Sequence, residues 1–301
     1  MSPATGPGGA TVDSGSLQWF PAPAKLNLVL HVTGRRPDGY HLLETVFRFI
    51  DHSDAVGLAP TTDGRIARVV DLPGVPEDHD LSVRAARALQ QATGCRLGAR
   101  IALDKRIPQG GGLGGGSSDA ATVLIALNHL WGTGLSRERL QAIGLALGAD
   151  VPVFVFGQTA FARGIGEVLQ PIDAEPAWYV VLVPPVAVAT REVFNAPELT
   201  RNAPPVTISG SSGARFRFPL APGRNDLEPV VTRRFAAVAS HLAWLRQQGP
   251  AAMSGSGACV FAAFASEAEA REVFARRPPP MQGFVAAGLD RHPLDGIFPA
   301  A

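Results

Sequence analysis

The sequence of 301 residues is poor in cysteine, in net charge and in long apolar segments. Its two cysteines, Cys95 and Cys259, are too few for a disulfide framework and lack metal-ligand spacing, which favours a reducing cytoplasm. A net charge of +1 offers no long-range field to nucleic acid or anionic lipid. No stretch approaches the roughly 18 uninterrupted apolar residues of a membrane span. We therefore expect a small-molecule partner, no nucleic acid and no membrane.

The length and the local composition suggest how the chain is divided. Residues 1–17 are rich in Gly, Ser, Pro and Thr and lack the pattern of a secretory signal, so we expect a disordered tail. The remainder is long enough for two domains around a cleft, although a single domain stays open. Residues 202–223, dense in Pro, Ser and Gly, predict a surface loop. Hairpins and helices without strict alternation indicate an α+β protein.

Hydrophobic periodicity places the main elements of the first half. Residues 24–32 and 42–50 predict two strands of a hairpin, with Lys25 and Asn27 on one face of the first strand. Asp80 and Ser82 can cap a helix that runs to Gln91.

A second set of patterns lies further along the chain. A strand is expected over residues 99–105, and Ser136 can cap a helix that runs to Leu147. The apolar run at residues 151–156, directly after Asp150, predicts a strand.

The most informative segment is residues 108–119, which carries six glycines between a predicted strand and a predicted helix. Without Cβ atoms the backbone can curl so that successive N–H groups converge, and the helix N-terminus adds partial positive charge. Ser117 or Ser118 is the expected N-cap of that helix. A plain connector is the alternative, but ordering so many glycines costs entropy. We therefore predict a cradle for an anion.

Other glycine motifs fit this segment less well. Gly110, Gly112 and Gly115 satisfy G-x-G-x-x-G, but the preceding strand is half polar and no strand with an acidic end follows at the dinucleotide-binding distance. The Walker A signature fails because no Gly-Lys-Ser/Thr follows the glycines. Neither Ser117 nor Ser256 lies in a G-x-S-x-G motif, the nucleophile elbow of α/β-hydrolases, and this argues against a hydrolase of that class.

Residues 108–121 resemble the phosphate loop of the GHMP kinases. Three further segments, PAKLNL (residues 23–28), RPDGYH (residues 36–41) and GADVPVF (residues 148–154), resemble one branch of that family, the 4-diphosphocytidyl-2-C-methyl-D-erythritol kinases. The segment SGSGAC (residues 254–259) is similar to the C-terminal glycine motif of the family. The resemblance extends from about Phe20 onward, in the order and spacing of the family.

The resemblance implies a fold and a reaction. The fold is a two-domain α+β structure, with an ATP-binding domain over residues 18–165 that contains a left-handed βαβ unit and a C-terminal domain over residues 166–301. The active site lies in the cleft between them. The reaction is phosphorylation by ATP, with Mg²⁺, of the 2-hydroxyl of 4-diphosphocytidyl-2-C-methyl-D-erythritol, a step of the non-mevalonate isoprenoid route. A monomer or a homodimer is expected.

The resemblance also assigns residues. Asp150 is the expected base and Lys25 its electrostatic partner, while Asn27 is a hydrogen-bonding neighbour of the acceptor group. Tyr40 and Phe194 are expected to sandwich the cytosine ring, and His41 to bind its edge. Metal ligands are expected at Ser117 and Asp119. The expected ATP-binding residues are Lys105, Pro108, Gly110, Gly111, Gly112, Leu113, Gly114, Gly115, Gly116, Ser117 and Ser118.

Two alternatives stay open at this point. Another GHMP kinase, acting on homoserine or mevalonate, would keep the glycine-rich loop but should lack the cytosine-binding residues Tyr40 and His41. A catalytically silent nucleotide-binding protein is the second alternative, and the presence of both Lys25 and Asp150 argues against it.

Overall fold

The computed structural model describes residues 17–206 and 217–297. The predicted disordered tail therefore lies outside the described residues except for Leu17, as does the middle of the loop predicted over residues 202–223. Within the described residues no helix is long and apolar enough to cross a membrane.

Strands and helices alternate irregularly along the chain. The twelve strands of the described residues are β1 (Gln18–Arg35), β2 (His41–Thr61), β3 (Ile66–Arg68), β4 (Gly98–Asp104), β5 (Ala160–Arg163), β6 (Val168–Pro171), β7 (Asp173–Ala174), β8 (Trp178–Val183), β9 (Arg217–Phe218), β10 (Ala251–Met253), β11 (Val260–Phe264) and β12 (Gln282–Leu289). The eight helices are α1 (Leu81–Thr93), α2 (Gly115–Leu130), α3 (Arg137–Leu147), α4 (Val151–Phe156), α5 (Thr190–Phe194), α6 (Glu228–Arg234), α7 (Ala236–Gln248) and α8 (Glu267–Ala275).

The predicted N-terminal hairpin is confirmed, and its strands are longer than the sequence suggested. β1 and β2 pair antiparallel from Gln18 opposite Leu58 to Arg35 opposite His41. The register shifts three times, and one shift falls between Asn27 and Val29. A bulge of this kind re-aims side chains locally. The irregularity therefore lies beside the polar residues that the sequence singled out.

One large sheet joins the two halves of the chain. Its strands follow the order β10-β11-β8-β12-β2-β4-β3, with β1 and β5 also paired to β2 and β6 paired to β5. The pair β3 and β4 is parallel and is connected through α1. This pair with its helix is a βαβ unit, and its expected left-handedness stays a prediction.

Two helical layers enclose separate apolar cores. One core packs α1, α2 and α4 against β2 and β4, with Leu89, Leu124 and Phe154 fully buried. The other packs α6, α7 and α8 against β8 and β11. This is the expected two-domain α+β architecture. The predicted boundary between residues 165 and 166 falls in the connection between the paired strands β5 and β6, and it stays a prediction.

The run at residues 151–156 is a helix, so the predicted strand there is wrong. A short apolar run cannot be assigned from periodicity alone, because a helix buried on every side shows no polar face. Residues 151–155 are all buried, and Pro152 occupies the first turn of α4, where proline is compatible with a helix. The helix ends at Gly157, whose φ is 77°.

The predicted start of α2 is also corrected. The cap is Gly114 and not Ser117 or Ser118, because the left-handed conformation of Gly114 (φ 74°) turns the chain directly from the glycine-rich loop into the helix. The Asp80 and Ser136 caps are confirmed. The Asp80 carboxylate accepts a hydrogen bond from the amide of Ser82, and the Ser136 hydroxyl accepts one from the amide of Arg139.

A C-terminal segment holds the end of α4 in place. The amide of His292 donates to the carbonyl of Gly157 at 2.9 Å, and the amide of Leu294 donates to Nδ1 of His292 at 3.1 Å. The imidazole is 1% exposed and meets Phe49 edge to face. Burial lowers the pKa of His292 to about 3, with Asp295 opposing and Arg137 adding to this shift.

We predict that His292 contributes to acid destabilisation. The unfolded chain takes up this proton near pH 6.5 and the folded chain only near pH 3, so the unfolding free energy falls as the pH drops through this window. The loss between pH 7 and pH 5 should be smaller by about 2 kcal/mol in His292→Gln than in the wild type. Urea unfolding at several pH values measures this difference. The exposed His129→Gln is the control, and an equal effect of the two variants would contradict the assignment.

Candidate active site

The glycine-rich loop (residues 110–116) lines a cleft of about 1140 Å³ between the two helical layers. The cleft is bounded by β1 and β2 on one side, by the loop between β10 and β11 on another, and by α5. Most of the residues expected from the sequence to form the site line it.

The floor of the cleft is a polar cluster on β1 and β2. Lys25 is 2% exposed, and its ammonium donates to Oδ1 of Asn27 at 2.5 Å. Nδ2 of Asn27 donates to the hydroxyl of Thr45 at 2.8 Å, and that hydroxyl donates to the carbonyl of Val29 at 2.6 Å. The predicted shared face of Lys25 and Asn27 is thus confirmed. A buried charge held in this way has one preferred position.

A second glycine-containing segment fixes the glycine-rich loop. The carbonyl of Gly112 accepts from the ammonium of Lys25 and from the hydroxyl of Ser254, each at 3.0 Å. A Cβ atom at Gly112 would lie 2.2 Å from the carbonyl oxygen of Ser254, and its φ is 74°. Only glycine allows this approach. Ser254 and the glycine turn that follows it (residues 255–257) therefore pack directly on the glycine-rich loop.

The loop directs its carbonyls into the protein. The carbonyls of Gly110 and Gly111 accept from the amides of Ala258 and Cys259, and that of Leu113 accepts from the amide of Lys25. Within the described part of the chain, the backbone amides of residues 110–114 donate no hydrogen bond to a protein group. The first amides of α2 add unpaired donors at the same place. This combination of fixed carbonyls and available amides suits an anion such as a phosphate chain.

Asp150 lies on the other side of Lys25. Its Oδ2 is 3.4 Å from the Lys25 ammonium, and its side chain is 37% exposed. The carboxylate makes no capping hydrogen bond to α4, although Asp150 immediately precedes that helix. It therefore does not act as the cap that its position suggests. The carboxylate is accessible from the cleft and oriented by a buried cation.

Three charged side chains lie beneath the entrance to the loop. The Lys105 ammonium bridges the carboxylates of Asp54 and Asp119. The other oxygen of Asp54 accepts from the amides of Arg106 and Ile107 at 2.5 and 2.7 Å. The neighbouring carboxylates raise the pKa of Lys105 although burial opposes its charge. Burial raises the pKa of Asp119 to about 7, with Lys105 opposing and Asp54 adding to the shift.

A third set of residues lies at the far end of the cleft. His41 is 7% exposed, and its ring lies 5.0 Å from that of Phe194. Tyr40 lines the same region and is 58% exposed. Nε of Arg201 donates to Nε2 of His41 at 3.1 Å. Burial lowers the pKa of His41, and Arg201 and Arg35 add to the shift, which favours a neutral imidazole.

In comparisons with known proteins, one family profile matches a segment of the N-terminal half of the chain and another matches a segment of the C-terminal half. The profile of the GHMP kinases N terminal domain matches residues 80–158, and that of the GHMP kinases C terminal domain matches residues 219–278. A 4-diphosphocytidyl-2-C-methyl-D-erythritol kinase of Thiobacillus denitrificans is 62% identical over 94% of this chain and 99% of its own. The chain belongs to this family of kinases. It is an ATP-dependent small-molecule kinase.

Solved structures agree with the membership of the kinase family. A crystal structure of 4-(cytidine 5'-diphospho)-2C-methyl-D-erythritol kinase matches with a TM-score of 0.74 and 35% identity, over 91% of this chain and 99% of that one. A relative from Chromobacterium violaceum with the same enzyme name is 58% identical over 91% of this chain and 96% of its own. A homoserine kinase from Cytophaga hutchinsonii, at 16% identity and a TM-score of 0.63, covers 91% of this chain and 94% of its own and shares the fold alone.

The kinase fold brings most of the expected residues to one cleft and leaves one out. The expected residues that line it are Lys25, Asn27, Tyr40, His41, Lys105, Pro108, Gly110, Gly111, Gly112, Leu113, Gly114, Gly115, Gly116, Ser117, Asp119, Asp150 and Phe194. Ser118 is fully buried, and its hydroxyl donates to the carbonyl of Pro23 at 2.7 Å. The side chain of Ser118 thus joins α2 to β1.

Several residues that shape the kinase site were not found from the sequence. Asn225 donates through Nδ2 to the carbonyls of Met253 and Gly255 and so holds the glycine turn. Comparable contacts to backbone or side-chain groups are made by Asp54, Thr45 and Arg201. Single polar residues of this kind carry no motif, because their partners are distant in sequence. Asp54 and Arg106, for instance, are 52 positions apart.

We predict that Asp54 is essential for the shape of the loop entrance. Asp54→Ala would leave the amides of Arg106 and Ile107 without their acceptor and would remove one of the two carboxylates that hold Lys105, which should lower the unfolding free energy by about 3–5 kcal/mol. The Michaelis constant for ATP should rise in the same variant, because residues 106–107 lead into the glycine-rich loop. Denaturant unfolding and ATP-dependent kinetics measure the two effects.

The matched control for Asp54 is Asp104→Asn at the end of β4. Asp104 pairs with Arg106 at 2.6 Å, but both side chains are about half exposed, at 48% and 62%. Loss of such a surface pair should cost less than about 1 kcal/mol. Equal losses in the two variants would show that the Asp54 contacts do not fix the loop.

Proposed function

We propose that the protein transfers the γ-phosphoryl group of ATP to the 2-hydroxyl of 4-diphosphocytidyl-2-C-methyl-D-erythritol, in the non-mevalonate route to isoprenoid precursors and within the cytoplasm. The observation that carries the proposal is the position of Lys25. One buried ammonium contacts the carbonyl of Gly112 in the glycine-rich loop and lies 3.4 Å from the Asp150 carboxylate. The phosphate cradle and the candidate base therefore meet at a single cation.

The residues divide the work of phosphoryl transfer. The transition state is loose, so positioning and charge balance contribute more than covalent chemistry. Asp150 accepts the proton of the substrate hydroxyl and orients its oxygen towards the γ-phosphorus. Lys25 stabilises the negative charge that is shared between the transferring group and the acceptor. Asn27 keeps the ammonium of Lys25 in place. The amides of residues 110–114 bind the phosphate oxygens of ATP.

The chemistry of the donors near the loop is compatible with Mg²⁺. Within the described residues no group of three or more His, Cys, Asp or Glu could hold a metal, but Mg²⁺ commonly needs only one or two protein oxygens plus phosphates and water. Asp119 has one buried carboxylate oxygen, Oδ1, without a hydrogen-bond partner, and Ser117 lines the cleft beside it. These two residues would hold the ion. When bound, Mg²⁺ neutralises phosphate charge.

Recognition of the cytidine end is assigned to the far end of the cleft. Tyr40 and Phe194 provide aromatic surfaces for the base, each worth about 1–3 kcal/mol on stacking. His41 lines the same part of the cleft, next to Phe194, and offers a polar atom to the base edge. A base other than cytosine would leave the buried imidazole of His41 without a hydrogen-bond partner, and this cost would disfavour its binding.

The first prediction of this proposal concerns Asp150. Asp150→Ala should lower kcat by roughly 10²–10⁴ while leaving the affinity for ATP nearly intact, because the carboxylate acts on the acceptor and not on the nucleotide. Steady-state kinetics with both substrates and direct ATP titration measure the two quantities. Asp71→Ala, at a fully exposed position, is the control. Unchanged kcat in Asp150→Ala would remove this residue from the mechanism.

The second prediction concerns the acceptor. ADP release should occur with 4-diphosphocytidyl-2-C-methyl-D-erythritol and be at background with homoserine, mevalonate or galactose, since only the first carries the base that the far end of the cleft is suited to bind. An assay of all four acceptors with ATP and Mg²⁺ decides this. Turnover with another acceptor alone would keep the kinase and refute the substrate. Binding of ATP without any turnover would favour a silent nucleotide-binding protein.

A further inference from the structure

The segment after α5 contains an arginine that contacts two residues at the far end of the cleft, His41 and Phe194. Arg201 donates through Nε to Nε2 of His41 at 3.1 Å. Its terminal nitrogens donate to the carbonyls of Phe194 and Ala196 at 3.0 and 2.7 Å, and to that of Leu199 at 3.0 Å. The guanidinium thus joins a strand of one half of the chain to the end of α5 in the other.

These four contacts constrain both sides of the base pocket at once. The carbonyl of Phe194 belongs to the end of α5 and that of Ala196 to the turn after it; α5 has five residues and is too short to be stable without tertiary contacts. Arg201 donates to both carbonyls and thereby holds the backbone that carries the Phe194 ring. The same side chain fixes the His41 ring, which contacts Phe194 at 5.0 Å between centroids. The planar guanidinium suits such a divided role better than lysine would.

The contact to His41 also determines which ring nitrogen carries the proton. A guanidinium can only donate, so Nε2 of His41 must accept and the proton of the neutral ring resides on Nδ1. Within the described residues Nδ1 of His41 has no hydrogen-bond partner, and His41 lines the cleft. The ring therefore presents an N–H donor that no protein group uses.

We propose that Arg201 is a positioning residue for base selection, acting through His41. The proposal rests on the proposed function, since it assigns the available N–H of His41 to the cytosine of the substrate. N3 of cytosine accepts a hydrogen bond, whereas N3 of uracil carries a hydrogen. A donor held at Nδ1 therefore favours cytosine over uracil. Without Arg201 the proton can move to Nε2, and Nδ1 becomes an acceptor that tolerates uracil.

Kinetics of Arg201→Met test the selection directly. The Michaelis constant for the cytidyl substrate should rise roughly tenfold or more, because the loss of a charged donor leaves His41 unfixed. kcat at saturation and the Michaelis constant for ATP should change less than about twofold, since Arg201 touches neither Lys25 nor the glycine-rich loop. The ratio of kcat/KM for the cytidyl substrate to that of its uridine-linked analogue should fall by a similar factor.

A spectroscopic measurement on the same proteins needs no substrate. Nitrogen-15 NMR of the imidazoles, with the His41 signals assigned by their loss in His41→Asn, should show the Nδ1–H form in the wild type. In Arg201→Met the Nε2–H form should appear. Arg201→Lys keeps a donor and the charge but not the planar fork, and it should shift the base ratio and the tautomer in the same direction but less than Arg201→Met does.

Arg234→Met is the matched control. Arg234 pairs with Glu198 at 2.7 Å and so anchors the same segment from α6 without touching His41. An unchanged base ratio, or an unchanged tautomer, in both Arg201 variants would overturn the proposal. Equal increases in the Michaelis constants for ATP and for the cytidyl substrate would overturn it too, because they indicate a general structural defect.

If the wild type does not turn over the cytidyl substrate, the proposed function fails. The tautomer measurement then decides the Arg201 contact by itself.

Discussion

The carbonyl of Gly112 is the contact on which the cleft depends. It accepts hydrogen bonds from Lys25 of β1 and from Ser254 beside the glycine turn. Three segments that are far apart in the sequence therefore meet at one oxygen atom. Because this carbonyl is held from the protein side, the amides of the loop are left for an anion. The Lys25 ammonium and the glycine-rich loop are therefore fixed relative to each other, which is the form of preorganisation that phosphoryl transfer requires.

Three buried or partly buried cations organise the cleft, and each has a different set of partners. Lys25 contacts amide and backbone oxygens and one accessible carboxylate, so its charge is available to a substrate. Lys105 lies between Asp54 and Asp119, which commits its charge to the protein. Arg201 contacts carbonyls and an imidazole. The difference separates a cation suited to chemistry from two that fix the shape of the site.

The sequence predicted what repeats locally and missed what depends on distant partners. The β1/β2 hairpin, the helices with their Asp80 and Ser136 caps, and the glycine-rich loop follow from periodicity and local side-chain chemistry. The run at residues 151–156 was assigned wrongly, because full burial removes the polar face that distinguishes a helix. Serine is a favoured N-cap in general, so the sequence predicts Ser117 or Ser118 at the start of α2. The left-handed Gly114 takes the N-cap position instead.

The candidate site divides in the same way. Lys25, Asn27, Asp150 and the glycines belong to short motifs, and the fold brings them together in one cleft. Asp54 and Asn225 each hold backbone groups, and Arg201 holds the His41 ring, from segments that no local pattern connects to them. Their type is unremarkable in the sequence, since an isolated Asp, Asn or Arg is usually a surface residue. Only the three-dimensional arrangement shows which of them is surrounded by carbonyls or amides.

The two ends of the cleft differ in how firmly they are built, and this difference matches their tasks. Lys25 and Asn27 lie on β1, which pairs with β2 over most of its length in the large sheet. The far end lies at the start of β2, on α5 and on the segment after α5. Side-chain hydrogen bonds of Thr190 and Arg201 help to hold this short helix and segment. Chemistry requires fixed distances, and those are obtained most reliably from a sheet. The Arg201 side chain contacts neither Lys25 nor Asp150. If the proposed function holds, a substitution at Arg201 changes base selection while Lys25 and Asp150 keep their geometry.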